Sequence, residues 1–121
     1  MGSEYVDLWL AHWPVAFQAI DQEHLNKAHA GPDTTNKDRG LVFDDKEQPV
    51  IDYKHTTQTI AKSQGKEGSF VPVWKAMQEC VRNGKAKAVG VSNFAIAEME
   101  ELLENQGDVP ISCNQVEVHP W

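Results

Sequence analysis

The chain has 121 residues, with 11 lysines and arginines against 18 aspartates and glutamates, for a net charge of -7. That balance argues against a nucleic-acid backbone as partner, while 40% hydrophobic and 24% charged residues are ordinary for a soluble globular protein. No run approaches about 18 consecutive apolar residues and no basic, apolar, small-residue leader opens the chain, so the sequence reads as cytoplasmic, with neither a membrane span nor a secretory signal.

Met1 to Glu4 reads as a short lead. Tyr5 to Ala11 (YVDLWLA) has the β-branched, aromatic and aliphatic content of a strand. Its one charged residue, Asp7, is expected to face outward or to pair. Pro14 ends the ladder and holds Trp13 extended, so His12 and Trp13 project from the strand's C-terminal end. From Val15 to about Ser69 the chain turns polar, with turn signals at Gly31-Pro32-Asp33, Thr34-Thr35-Asn36, Asp44-Asp45 and Ser63-Gln64-Gly65. It lacks a sustained period of two or 3.6, which predicts a long excursion or lid over 15–69. A short helix could form over Asp21 to Ala28. His24, His29 and His55 fall here near acidic residues, but their spacing does not suit a metal.

Val73 to Asn83 reads as a helix: Val73, Met77, Cys80 and Val81 share a face, with Trp74 beside it. Pro72 suits its first turn and Gly84 its cap. Lys75, Arg82, Lys85 and Lys87 read as a solvated helix end, where cations suit the dipole. Ala86 to Phe94 (AKAVGVSNF) is a buried strand that ends on two polar residues, Ser92 and Asn93. A helix over Ala95 to Asn105 follows, with Ile96, Met99, Leu102 and Leu103 as its apolar stripe and Gly107 as its stop. Pro110 precedes a last strand, Ile111 to Val118, broken by His119-Pro120. Cys80 and Cys113 fall in apolar patterns and are expected as small buried thiols in a reducing compartment.

Strand, long loop, helix, strand, helix, strand is the order of right-handed β-α-β units on a parallel sheet. Ligands bind at the C-terminal ends of such strands. His12-Trp13, Ser92-Asn93 and the Asn114 to Glu117 run should therefore gather on one rim.

Three motifs, LWLAHWP at Leu8 to Pro14, GKAKAVGVSNF at Gly84 to Phe94 and NQVEVHPW at Asn114 to Trp121, resemble the aldo-keto reductase family in its own order. The likeness covers Ser3 to Pro14 and Val71 to Trp121, and the loop between matches poorly. It implies residues 1–121 as a partial (β/α)8 TIM barrel, with about three parallel strands, two main helices and 15–69 as a long inserted loop. It also implies reduction of aldehydes or ketones, aldoses among them, by hydride transfer from NADPH, in some members NADH.

By the same resemblance His12 would hold the substrate carbonyl and serve as the catalytic residue, Trp13 would wall the substrate pocket, and Phe17 would touch substrate. Ser92, Asn93 and Gln115 would hydrogen-bond the nicotinamide carboxamide. The family's tyrosine acid, lysine and aspartate come from earlier strands and are not found here; Tyr5 and Tyr53 sit in neither motif. A closed barrel needs roughly 250 residues, which makes this a central fragment whose exposed sheet edges favour self-association. The expected partner of the complete protein is a small carbonyl substrate, with no nucleic acid, membrane or metal. The competing reading is a catalytically inactive truncated barrel or a protein-binding fragment. The His12-Trp13-Pro14 triplet disfavours a regulatory subunit.

Overall fold

The computed structural model describes residues 4–20 and 40–120. Two compact units result: Met1–Val15 with Tyr53–Trp121, and Ala16–Asp52.

The first unit is built on three strands, β1 (Val6–Ala11), β2 (Ala86–Ser92) and β3 (Ile111–Gln115), in the order β1-β2-β3. Both pairings are parallel, as the element order requires. Three helices accompany them: α1 (Gln58–Ser63), α2 (Val71–Arg82) and α3 (Ile96–Leu103). The core gathers Phe70, Trp74, Met77, Val89, Val91, Phe94 and Leu102. Its burial is the main favourable term in folding.

Helix α2 runs two residues earlier than its periodicity predicts, with Pro72 in its first turn. It ends in a Schellman turn. Gly84, at φ +70°, donates to the Val81 carbonyl, and Lys85 donates to that of Cys80. The centre of its inward face is Trp74 rather than Val73; Val73, Cys80 and Val81 pack around the edge. Gln78 is buried beside them and donates from Nε2 to the Gln106 and Val109 carbonyls, tying α2 to the loop before β3. A buried amide is tolerable there because its donors are satisfied.

In α3 the expected stripe is only partly realised. Leu102 is fully buried and Met99 half-buried, but Ile96 is 81% exposed and Leu103 53%. Glu98 is turned inward instead, because its carboxylate accepts from the Ala95 N–H at 2.6 Å and caps the helix. The last strand stops at Gln115 rather than Val118. Cys80 and Cys113 are free and half-buried rather than fully buried. Asp7 pairs with Lys87 at 2.7 Å on the surface, which holds the Lys87 ammonium above its ordinary value, with Tyr5 adding to the effect. Arg82 pairs with Glu79 and Asp108, so two of the four basic residues have acidic partners.

The stretch expected as a loop over 15–69 contains regular structure. A 3-10 turn at Tyr53–His55 and helix α1 precede α2 in the first unit. Helix α1 is too short for a period to show in the sequence, and tertiary contacts hold it. One of these is Glu101, whose carboxylate accepts from Gln58 N at 2.7 Å, Ser69 Oγ at 2.8 Å and Phe70 N at 2.9 Å. One side chain of α3 therefore caps the starts of both α1 and α2. Glu101→Ala should destabilise the fold by about 2 kcal/mol, the scale of charge-assisted bonds, read as a lower urea midpoint at unchanged slope.

The second unit is held by antiparallel bridges Phe17–Ile51, Ala19–Leu41 and Phe43–Pro49. Its turn falls at the Asp44-Asp45 signal, where Asp44 Oδ1 accepts from Lys46 N and Gln48 N at 2.9 Å each. The expected short helix over Asp21 to Ala28, His24, His29 and the turn signals at 31–36 lie outside the described residues. No helix among the described residues is long and apolar enough to cross a membrane.

Strand β1 is a sheet edge, and Tyr5, Val6, Leu8 and Trp9 each leave 45–47% of their surface exposed. An exposed apolar edge strand templates pairing with another chain. The 13.5 kDa polypeptide by itself should therefore elute above monomer mass in light-scattering chromatography at micromolar concentration. Leu8→Lys, a charge on that edge, should lower the mass. A sharply melting monomer would contradict this.

Candidate functional site

The register sets the site. Ala11 pairs with Val91, and Ser92 pairs with Gln115, so His12, Ser92 and Gln115 fall at neighbouring strand ends. Their backbones and side chains are joined in one network. Ser92 Oγ donates to the Gln115 carbonyl at 2.7 Å. Asn93 N donates to the same carbonyl at 3.0 Å. Asn93 Nδ2 donates to the His12 carbonyl at 2.8 Å and to Ser92 Oγ at 3.1 Å. The three strand ends are thereby locked together.

Asn93 sits at φ +62°, in the left-handed region. Asparagine is among the few non-glycine residues that adopt it readily, and such backbone clusters at ligand sites. The turn brings the Asn93 amide back across β2 toward β1. Phe94, next in sequence, drops into the core edge-on to Phe70, with ring centroids 5.3 Å apart.

Counting donors and acceptors shows what the cluster can still bind. Both Nδ2 hydrogens of Asn93 are used, and so is the Ser92 hydroxyl hydrogen. Asn93 Oδ1 and one lone pair on Ser92 Oγ remain. These two residues can only accept from a ligand, while the exposed Gln115 side chain can donate. A primary carboxamide, with an N–H2 and a C=O side by side, fits that arrangement; a carboxylate does not.

Of the residues expected at the site, His12 and Trp13 are both exposed at the end of β1, with ring centroids 5.6 Å apart and planes tilted by 43°. Trp13 leaves 53% of its surface open. Ser92 is buried and Asn93 half-buried. Phe17 belongs to the second unit, in its bridge to Ile51. No cluster of metal-ligating side chains occurs among the described residues. A groove of about 630 Å³ lined by Gln58, Ser69, Pro72, Glu100, Glu101 and Glu104 shares no residue with the strand ends, and its Glu101 is occupied as a helix cap.

Sequence reasoning placed Asn114 in the rim run but missed its role. Its Nδ2 donates to the Phe94 carbonyl at 2.7 Å and its Oδ1 accepts from Phe94 N at 3.3 Å, so the amide clamps the residue after the turn. It also missed the irregular pairing that places Asn114 there; the signal available was Gly90, an isolated glycine inside a strand.

Residues 1–121 match the sequence model of the Aldo/keto reductase family. The chain belongs to that family. It is 34% identical over 121 residues to aldehyde reductase YPR1 of Saccharomyces cerevisiae, covering 99% of this chain and 31% of that protein. It is 33% identical to the same yeast's glycerol 2-dehydrogenase (NADP(+)), with the same coverage. It is also 33% identical to D/L-glyceraldehyde reductase of Hypocrea jecorina, covering 99% of this chain and 27% of the relative. The chain thus spans less than a third of these relatives. The aldose reductase structure from Giardia lamblia superposes with a TM-score of 0.62 at 24% identity, over 98% of this chain and 29% of that one. That likeness establishes the fold: the three parallel strands correspond to part of a (β/α)8 barrel.

Proposed function

We propose that this chain is the carbonyl- and nicotinamide-facing part of an NAD(P)H-dependent aldo/keto reductase that reduces aldehydes or ketones, aldoses among them. The observation that carries the proposal is the acceptor pair of Asn93 Oδ1 and Ser92 Oγ beside the Gln115 side chain, which is complementary to a carboxamide. The curated relatives, including the yeast glycerol 2-dehydrogenase (NADP(+)), support NADP(H) as the cofactor.

The nicotinamide, when bound, supplies or takes the hydride. The residues of this chain orient it. Asn93 and Ser92 would accept from the carboxamide N–H2 while Gln115 would donate to its oxygen; held positioning of this kind removes part of a reaction's barrier. His12, one strand over, donates an imidazole N–H to the substrate carbonyl oxygen, drawing charge from the carbon that receives hydride. Trp13 walls the substrate side. On this reading the enzyme is cytoplasmic and its partner is a small carbonyl substrate.

The test is a chimera. This chain replaces the matching segment of the yeast aldehyde reductase, and NADPH-dependent reduction of glyceraldehyde is measured. Retained turnover is the expected result. A folded chimera that binds NADPH yet turns over no aldehyde would overturn the proposal. The 121-residue chain alone should show no NADPH-dependent turnover of glyceraldehyde or xylose, because the family's tyrosine acid, lysine and aspartate have no counterpart in its motifs.

A further inference from the structure

The pairing of β2 with β3 is irregular at one point. Val89 opposes Ile111, but Val91 opposes Asn114, so two steps along β2 meet three along β3. One extra residue in one strand is a β-bulge, rare between parallel strands, and bulges near functional sites re-aim side chains.

The consequence follows from alternation. Val89 and Val91 are buried in the core shared with the helices, and Ile111 packs against the same core. In a regular strand, residues two apart share a face. Cys113 and Gln115 would then join Ile111 on the helical side, and Asn114 would pair with Ser92 at the rim. The bulge exchanges them. Asn114 is opposite Val91, where it clamps the core residue Phe94, and Gln115 is opposite Ser92.

Gly90 makes room for this. A Cβ there would lie 2.7 Å from the Cys113 carbonyl oxygen and 3.2 Å from Cys113 N, both backbone atoms of the bulge. Leu10 Cδ2, at 2.9 Å, closes the other side. No side chain fits without moving the bulged backbone.

We infer that the bulge at Cys113, seated on Gly90, is the device that selects Gln115 rather than Asn114 as the third carboxamide ligand and turns Asn114 into the residue that holds the Ser92–Phe94 turn. The inference rests on the carbonyl-reductase reading of the site. Asn114 has both polar atoms of its amide engaged by Phe94, one bond at each. It is a positioning residue, and Gln115 touches the ligand.

Two readouts on the full 121-residue chain test this. Amide hydrogen exchange resolved to single residues reports the clamp. Saturation-transfer NMR with nicotinamide against nicotinate reports carboxamide preference, and both measurements tolerate association of the chain. Asn114→Ala should speed exchange of the Phe94 amide on the order of tenfold, the loss of one hydrogen bond, and weaken the preference for nicotinamide. Gln115→Glu should abolish the preference and leave Phe94 exchange unchanged. Gly90→Ala should speed exchange at Asn93 and Phe94 together.

If Gln115→Glu moves Phe94 exchange, or if Asn114→Ala does not, the register exchange is overturned. Unchanged exchange at both residues in Gly90→Ala overturns the seat. A wild-type chain with no preference for nicotinamide overturns the carbonyl-reductase reading and the ligand half of this inference, while the exchange pattern at Phe94 still decides the bulge by itself.

Discussion

Trp74→Ala should cost about 3–5 kcal/mol of stability, the range for truncating a buried aromatic residue, and leave little of the cooperative transition. Trp74 is 0% exposed and lies in the same cluster as Phe70, Met77, Val89, Val91 and Leu102. Removing the indole opens a cavity between α2 and the sheet that the close-packed interior cannot fill. A single small domain holds only about 5–15 kcal/mol in reserve, so this one residue takes a large share of it. Trp74→Phe should cost well under half as much. The indole Nε1 is buried with no hydrogen-bond partner among the described residues, and an orphaned donor carries a desolvation penalty of about 1–3 kcal/mol. Phenylalanine loses some packing but also removes that penalty. Urea titration followed by far-UV circular dichroism gives both values, and an alanine variant as stable as the phenylalanine variant would refute the packing argument.

The sequence made the fold legible wherever a physical signal was local. The Tyr5 to Ala11 run, the Ala86 to Phe94 run and the Pro72 and Gly84 bracket each read correctly to within a few residues, because strand composition and caps are written in neighbouring side chains. Helix α1 was not legible. Its six residues are too few for periodicity, and Glu101, which caps it, lies 43 positions from Gln58. The stripe of α3 was misread for a related reason. Ile96 is apolar and correctly spaced, but the N-terminal N–H groups of the helix draw Glu98 inward, and a hydropathy pattern does not weigh that demand.

The site divides along the same line. His12, Ser92, Asn93 and Gln115 were expected from strand ends and motif, and the register sets their strand ends side by side. The left-handed turn at Asn93, the clamp by Asn114 and the bulge over Gly90 depend on which backbone atoms meet across strands. In the sequence they leave only a glycine in a strand and an asparagine at its end.

His12→Ala, placed in the chimeric barrel, should lower kcat by about 10²–10³ with a much smaller change in KM, the range seen when one donor to a developing oxyanion is removed. The geometry allows this effect to be isolated. The part of His12 that supports the cofactor cluster is its backbone carbonyl, which accepts from Asn93 Nδ2 at 2.8 Å. Alanine keeps that carbonyl. The turn, the acceptor pair and NADPH affinity should therefore survive, while the imidazole alone is lost. Among the described residues its ring touches the fold only through its tilted contact with Trp13 on an exposed rim, so the melting temperature should hardly move. His12→Gln, which restores an N–H donor on a flexible side chain, should recover part of kcat. Loss of NADPH binding in His12→Ala would show instead that the side chain serves the cofactor cluster. Unchanged kcat would remove His12 from the chemistry.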